Sequence, residues 1–171
     1  MKSWIYSCRF IPALLLLLFL FCLALAGQVK ADSKENKPKL VDFWSPGDSG
    51  QRMRIRGRVT SIDGRPLPNV EIYFRHADSE GYDWSYHQGI VATNEKGIYQ
   101  FGSVIPGNSH RLSHVHVVVD HEGYEYLDTE FYFKDDPKVD ESHPNAIFLE
   151  SGTVNGETMM FGRFDIILNP F

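Results

Sequence analysis

Between Arg52 and Thr60 the chain reads RMRIRGRVT, and its side chains alternate without a break. Met53, Ile55, Gly57 and Val59 share one parity; Arg52, Arg54, Arg56 and Arg58 share the other. Successive side chains of an extended strand point to opposite faces, so a period of two predicts a half-buried strand with a basic outer face. Turn chemistry follows at once: DGRPLPN (63–69) supplies Asp-Gly and two prolines. The same grammar repeats downstream. VEIYF (70–74) reads as a strand, NEKG turns into IYQFGSV, and IPGN turns again. HVHVVVD is followed by HEGYEYLD and TEFYF, and RFDIIL is the last strand. No helical periodicity runs beyond about two turns, and no repeat has a fixed period. Short strands between turn signals predict an all-β sandwich or barrel over residues 52–171, with 8 of the chain's 12 Phe and 7 of its 8 Tyr to fill its core.

The segment before this domain has a different character. Lys2 and Arg9 precede the apolar run IPALLLLLFLFCLALA, which ends in small residues at Ala24 and Ala26, with a second small-residue pattern at Val29 and Ala31. A basic start, a short apolar stretch and an A-x-A-like site describe a secretory signal peptide over residues 1–31. The run from Ile11 to Ala26 is shorter than the roughly 20 residues that span a bilayer, which sets this reading ahead of an uncleaved anchor. No stable membrane span is expected once the segment is removed, and the destination is secreted or periplasmic. Residues 32–51 are polar and rich in Lys, Ser, Pro and Gly, which reads as a linker. Both cysteines, Cys8 and Cys22, precede position 31, so the mature domain has neither disulfide nor thiolate ligand. Cleavage after Ala31 removes Lys2, Arg9 and Lys30 and no acid, taking the formal charge from −5 to −8. Nucleic acid is a poor partner for so acidic a domain.

The stretch RLSHVHVVVD (111–120) carries the chemistry. In a strand, Val115, Val117 and Val119 make a core face, while His114, His116 and Val118 occupy the other. Two imidazoles side by side let their ring nitrogens converge on one small ion. His110 has the same parity as the pair. Tyr99 reads as core, and His87 and His121 read as surface.

Five segments then occur in a telling order: GRVTSIDGRPLPNVEIYF, TNEKGIYQFGSVIPG, RLSHVHVVV, LDTEFYFKDDP and FGRFDIIL. Over about residues 52–171 the chain resembles the intradiol ring-cleavage dioxygenases, the catechol and protocatechuate type. The first half alone is also similar to transthyretin-like and carboxypeptidase-regulatory sandwich modules; Arg111 followed by H-x-H makes the difference. The resemblance implies a β-sandwich around non-haem Fe(III), held by two tyrosinates and two histidines, acting on a small aromatic diol with O2. Residue by residue, it assigns His114 and His116 as metal ligands and Tyr82, in HADSEGYDW, as the first tyrosine, with Tyr86 and His87 as competing donors. Arg111 takes the place of the family arginine, which stabilises negative charge during reaction. Glu130 falls where the family has glutamine, and is expected to hydrogen-bond substrate or a histidine N–H.

The second family tyrosine has no counterpart. PGNSHRLSHVH shortens the loop, and Asn108, Ser109 and His110 stand there instead. His110 is the candidate to fill the vacancy. With one tyrosinate rather than two, the preference for Fe(III) weakens, and Fe(II) or Cu(II) become acceptable. Two functions therefore remain open: an exported dioxygenase of catechol-type aromatics, or a catalytically altered transthyretin-like sandwich that binds a metal, a ligand or a partner protein.

Overall fold

In the computed structural model, residues 37–82, 87–109, 111–140 and 142–171 are described. They contain eleven strands and no helix: β1 (Leu40–Asp42), β2 (Arg52–Ser61), β3 (Glu71–Arg75), β4 (Gln88–Ala92), β5 (Ile98–Val104), β6 (His114–Val119), β7 (Leu127–Phe133), β8 (Ala146–Ile147), β9 (Leu149–Val154), β10 (Glu157–Arg163) and β11 (Ile166–Leu168). The predicted signal peptide and His110 lie outside the described residues.

The strands form two sheets. One runs β1-β5-β2-β10-β9, with β11 also pairing β2; the other runs β4-β3-β6-β7-β8. Their inward residues make one shared core, as in a β-sandwich. Met53, Ile55 and Val59 from β2 and Tyr99 and Phe101 from β5 meet Ile72 and Phe74 from β3, Val115, Val117 and Val119 from β6, and Phe131 and Phe133 from β7. Phe74 sits at the centre, with its ring 4.5 Å from Phe101 and 5.4 Å from Tyr99. Each such aromatic contributes about 1.5–3 kcal/mol by leaving water. The alternation of β2 is realised residue by residue, its apolar parity buried and its arginine parity facing out.

Gly57 shows why that strand needs a residue without a side chain. Any Cβ there would collide with the Phe164 carbonyl oxygen and the Tyr99 ring. The space is taken by the Tyr99 hydroxyl, which donates to that carbonyl at 2.6 Å. Tyr99 is thus core with a satisfied polar end.

Several elements depart from the sequence reading. β1 lies inside the stretch read as a linker, pairing parallel to β5 through Leu40–Gln100, Val41–Phe101 and Asp42–Gly102. β4, β8, β9 and β10 are additional strands, and the last strand, read as RFDIIL, is confined to Ile166–Leu168. His87, expected at the surface, is buried: its Nε2 is 2.9 Å from the Asp48 carboxylate, and its ring stacks on His76 at 5.1 Å. A carboxylate 39 residues away gives the buried Nε2 its hydrogen-bond partner.

Candidate metal centre

The outward face of the second sheet is built by alternation on β6. Val115, Val117 and Val119 are fully buried in the core, which turns His114 and His116 to the opposite face. The entry to the strand is pinned. The Ser113 hydroxyl donates to the Pro106 carbonyl at 2.6 Å, and the Ser113 N–H donates to the Asp136 carboxylate at 3.1 Å. The Lys138 ammonium donates to the Asn108 carbonyl, tying down the shortened loop.

Each imidazole is oriented through its other nitrogen. His114 Nδ1–H donates to the Leu112 carbonyl at 2.5 Å, and His116 Nδ1 lies 3.0 Å from Glu130 Oε1. The Leu112 contact leaves His114 Nε2 with its lone pair, and this atom faces His116 Nε2 across 3.1 Å. That gap is bridged either by a proton on His116 Nε2 or, when both rings present lone pairs, by a shared cation. Two metal–nitrogen bonds of about 2.1 Å meeting near a right angle span roughly 3 Å, so the spacing fits a shared ion. Glu130 Oε1 is also 4.0 Å from His114 Nε2, and His114, His116 and Glu130 offer ligand atoms within 4.8 Å of one another.

Strand register explains the arrangement. On β7, His114 faces Tyr132 and His116 faces Glu130. The Tyr132 hydroxyl donates to Glu130 Oε2 at 2.7 Å, so the carboxylate holds a histidine with one oxygen and a phenol with the other. Tyr132 is in turn wedged by His143, whose ring lies 4.7 Å away. Burial opposes charge on Glu130, but the Tyr132 hydrogen bond and the positive fields of His114, His116 and Arg111 outweigh it and hold the carboxyl below its ordinary range. The same hydrogen bond, with burial and the carboxylate's charge, pushes the Tyr132 phenol up to about 12. Burial, joined by the fields of His114 and Arg75, keeps His116 below its usual value although Glu130 pulls the other way. Burial thus favours the neutral form of His116, the state a metal ligand requires.

Of the residues the sequence singled out, the fold brings together His114, His116 and Glu130. Arg111 is an exposed residue whose charge reaches Glu130. Tyr82 sits exposed on a turn, with its N–H donating to Asp78 Oδ1 at 3.0 Å. That turn is stapled to the loop before Arg111: the Gly107 N–H donates to the Asp78 carbonyl, and the Ser109 hydroxyl to the Gly81 carbonyl. Tyr86 lies outside the described residues. Two neighbours were missed by sequence reasoning. Tyr132 has the parity of Glu130 in TEFYF, a signal that was present but needs the β6–β7 pairing to be read. Arg75 faces His116 from β3, on the side opposite Glu130.

No family model matches the sequence. Curated relatives include a chlorocatechol 1,2-dioxygenase of Rhodococcus opacus, 26% identical over 157 residues, covering 71% of this chain and 61% of the relative. A catechol 1,2-dioxygenase of Acinetobacter lwoffii is 29% identical over 118 residues, covering 53% and 42%. The chain therefore spans about two-fifths to three-fifths of the length of these relatives. Among solved structures, the 3-chlorocatechol 1,2-dioxygenase of Rhodococcus opacus aligns with a TM-score of 0.68 at 18% identity, over 85% of this chain and 78% of that one. The dioxygenase domain of a carbohydrate-binding fusion from Streptomyces aligns with a TM-score of 0.61 at 21% identity, over 82% and 96%. These likenesses establish the fold, and the relatives are of the intradiol ring-cleavage family that the motifs resemble.

Proposed function

We propose that residues 52–171 form an exported non-haem metal dioxygenase that cleaves a catechol-type aromatic between its hydroxyls with O2. The observation that carries this reading is the convergence of the two Nε2 atoms, 3.1 Å apart, with a carboxylate and a phenol behind them, in the fold of catechol dioxygenases. His114 and His116 would hold the ion, with iron the family's metal; Tyr82 is the proposed phenolate donor and His110 a further one. When bound, the metal supplies chelation of the diol and a path for electrons from ring to dioxygen.

The protein's own residues do the rest. Glu130 keeps the His116 Nδ1 proton in place, so that Nε2 presents its lone pair outward. Tyr132 fixes the carboxylate in that rotamer. Arg111, and Arg75 from the other side, place guanidinium charge where a diolate and reduced oxygen would build negative charge. Export rests on Lys2, Arg9 and the apolar run that follows them.

The test is oxygen uptake by iron-loaded protein with catechol, and with resorcinol as a diol that cannot chelate. Stoichiometric uptake with catechol alone, abolished in His114→Ala, is expected, together with a visible phenolate-to-iron band that Tyr82→Phe bleaches. The loop Asn108–His110, which lacks the second tyrosine, favours one other reading: a sandwich that binds metal without turnover. Iron bound at one per chain with no uptake of oxygen by any o-diphenol would select it.

A further inference from the structure

A well-defined cavity lies away from the histidine pair. It has a volume of about 850 Å³ and lies against the outward face of β2, on the other sheet. Arg54, Arg56 and Arg58 line it. They are alternate residues of one strand, so their Cα atoms stand roughly 6.6 Å apart along it. Among the described residues these three guanidiniums make no hydrogen bond or ion pair, and the Nε of Arg54 is enclosed without a partner. The next arginines show what partnered ones look like here. Arg52 pairs with Asp42 at 2.7 Å and stacks on Trp44; Arg163 pairs with Asp165 at 2.7 Å.

A row of unpaired guanidiniums on a chain of net charge −5 is a local reversal of sign. It costs mutual repulsion and is relieved by an anion. The walls narrow the choice. Phe161, which faces Arg54 across the β2–β10 pair, and Phe148, 64% exposed, give the cavity apolar sides. A bare inorganic ion would leave those rings in water, whereas a ligand with a carbon frame would cover them. A long polyanion would meet the acidic remainder of the molecule. The volume is that of a small-molecule site.

We propose that this groove binds a small organic anion carrying two or three carboxylates on an apolar frame, each carboxylate taken by one guanidinium of the β2 row and the frame lying against Phe148 and Phe161. Guanidinium and carboxylate match as planar forks, which is why arginine rather than lysine suits such a row. Two carboxylates, Glu150 and Asp165, also line the cavity; Asp165 is paired with Arg163, and Glu150 opposes the ligand's charge and limits its affinity. The site is independent of the metal centre and of the activity proposed for it.

Calorimetric titration of the full chain, without added metal, using benzene-1,3,5-tricarboxylate tests this directly. Saturable binding is expected, weakened about ten-fold or more in Arg56→Gln and in Arg58→Gln, since each removes a charge-assisted hydrogen bond. Glu150→Gln is expected to tighten it. Thermal melts of the same variants report whether each has folded, and both arginines are exposed enough for glutamine to be accommodated. Absence of binding by the native chain overturns the proposal. So does native-like affinity in both arginine variants, or inorganic phosphate at equal ionic strength displacing the tricarboxylate as well as the tricarboxylate displaces itself.

Discussion

Acidification should destabilise this domain through one particular ring. His76 is 3% exposed, with Nδ1–H donating to the Ala77 carbonyl at 2.6 Å and Nε2 accepting from the Ser103 hydroxyl at 2.8 Å. Both nitrogens are satisfied by the neutral imidazole. Burial, with smaller contributions from the nearby His87 and His114, pushes its pKa from 6.5 down to about 4. The unfolded chain therefore binds a proton that the folded chain refuses, and stability falls as pH drops from 6.5 towards 4. A shift of that size corresponds to about 3 kcal/mol in total, of which roughly 2.5 kcal/mol is lost by pH 4.5. Against a typical domain stability of about 5–15 kcal/mol, this is a substantial share. Urea midpoints measured at half-unit steps from pH 7.5 to 4.5, on metal-free protein, give the slope. The chain has six other histidines, so the decisive quantity is the difference from His76→Gln. That variant starts weaker at pH 7.5, because it loses the stacking on His87, but its slope should be shallower by close to one proton. Parallel slopes for the two proteins would refute the argument that the buried ring must stay neutral.

Two further outcomes follow from the geometry. Glu130→Gln should lower metal affinity by about ten-fold or more, since a carboxylate behind a ligating histidine raises its basicity, and Tyr132→Phe should lower it by less; competition with a chromophoric chelator measures both, and native affinity in Glu130→Gln would detach that residue from His116. Gly57→Ala should cost about 1–3 kcal/mol or more, because the new methyl meets the Phe164 carbonyl and the Tyr99 ring; a native urea midpoint would mean the strand and that turn can separate freely.

How much of this was legible beforehand depended on whether an element carries its own pattern. β5 spans Ile98–Val104, the stretch that NEKG and IPGN bracket in the sequence, because both its turns and its alternation are local. β2 was legible for the same reason. β10 was not: in ETMMFGR the buried Met159 is followed by three half-buried residues, so no period of two appears. β4 hid because Ile90, its bulkiest residue, is 57% exposed while Val91 beside it is buried. β1 is three residues whose reason for being a strand is a partner some sixty positions later. His87 belongs to the same class, since Asp48 is what lets it enter the interior.

The metal centre divides along the same line. Parity within a strand is a property of the sequence, and it placed His114 and His116 on one face and Glu130 with Tyr132 on one face. Which strands lie side by side is a property of the fold, and it alone turns those two faces into one site, setting His116 opposite Glu130 and His114 opposite Tyr132. A slip of one residue between β6 and β7 would leave every element intact and send Glu130 and Tyr132 into the core in place of Phe131 and Phe133. Those two phenylalanines, buried against β6 by their own hydrophobicity, therefore hold the register on which the histidines' orientation depends.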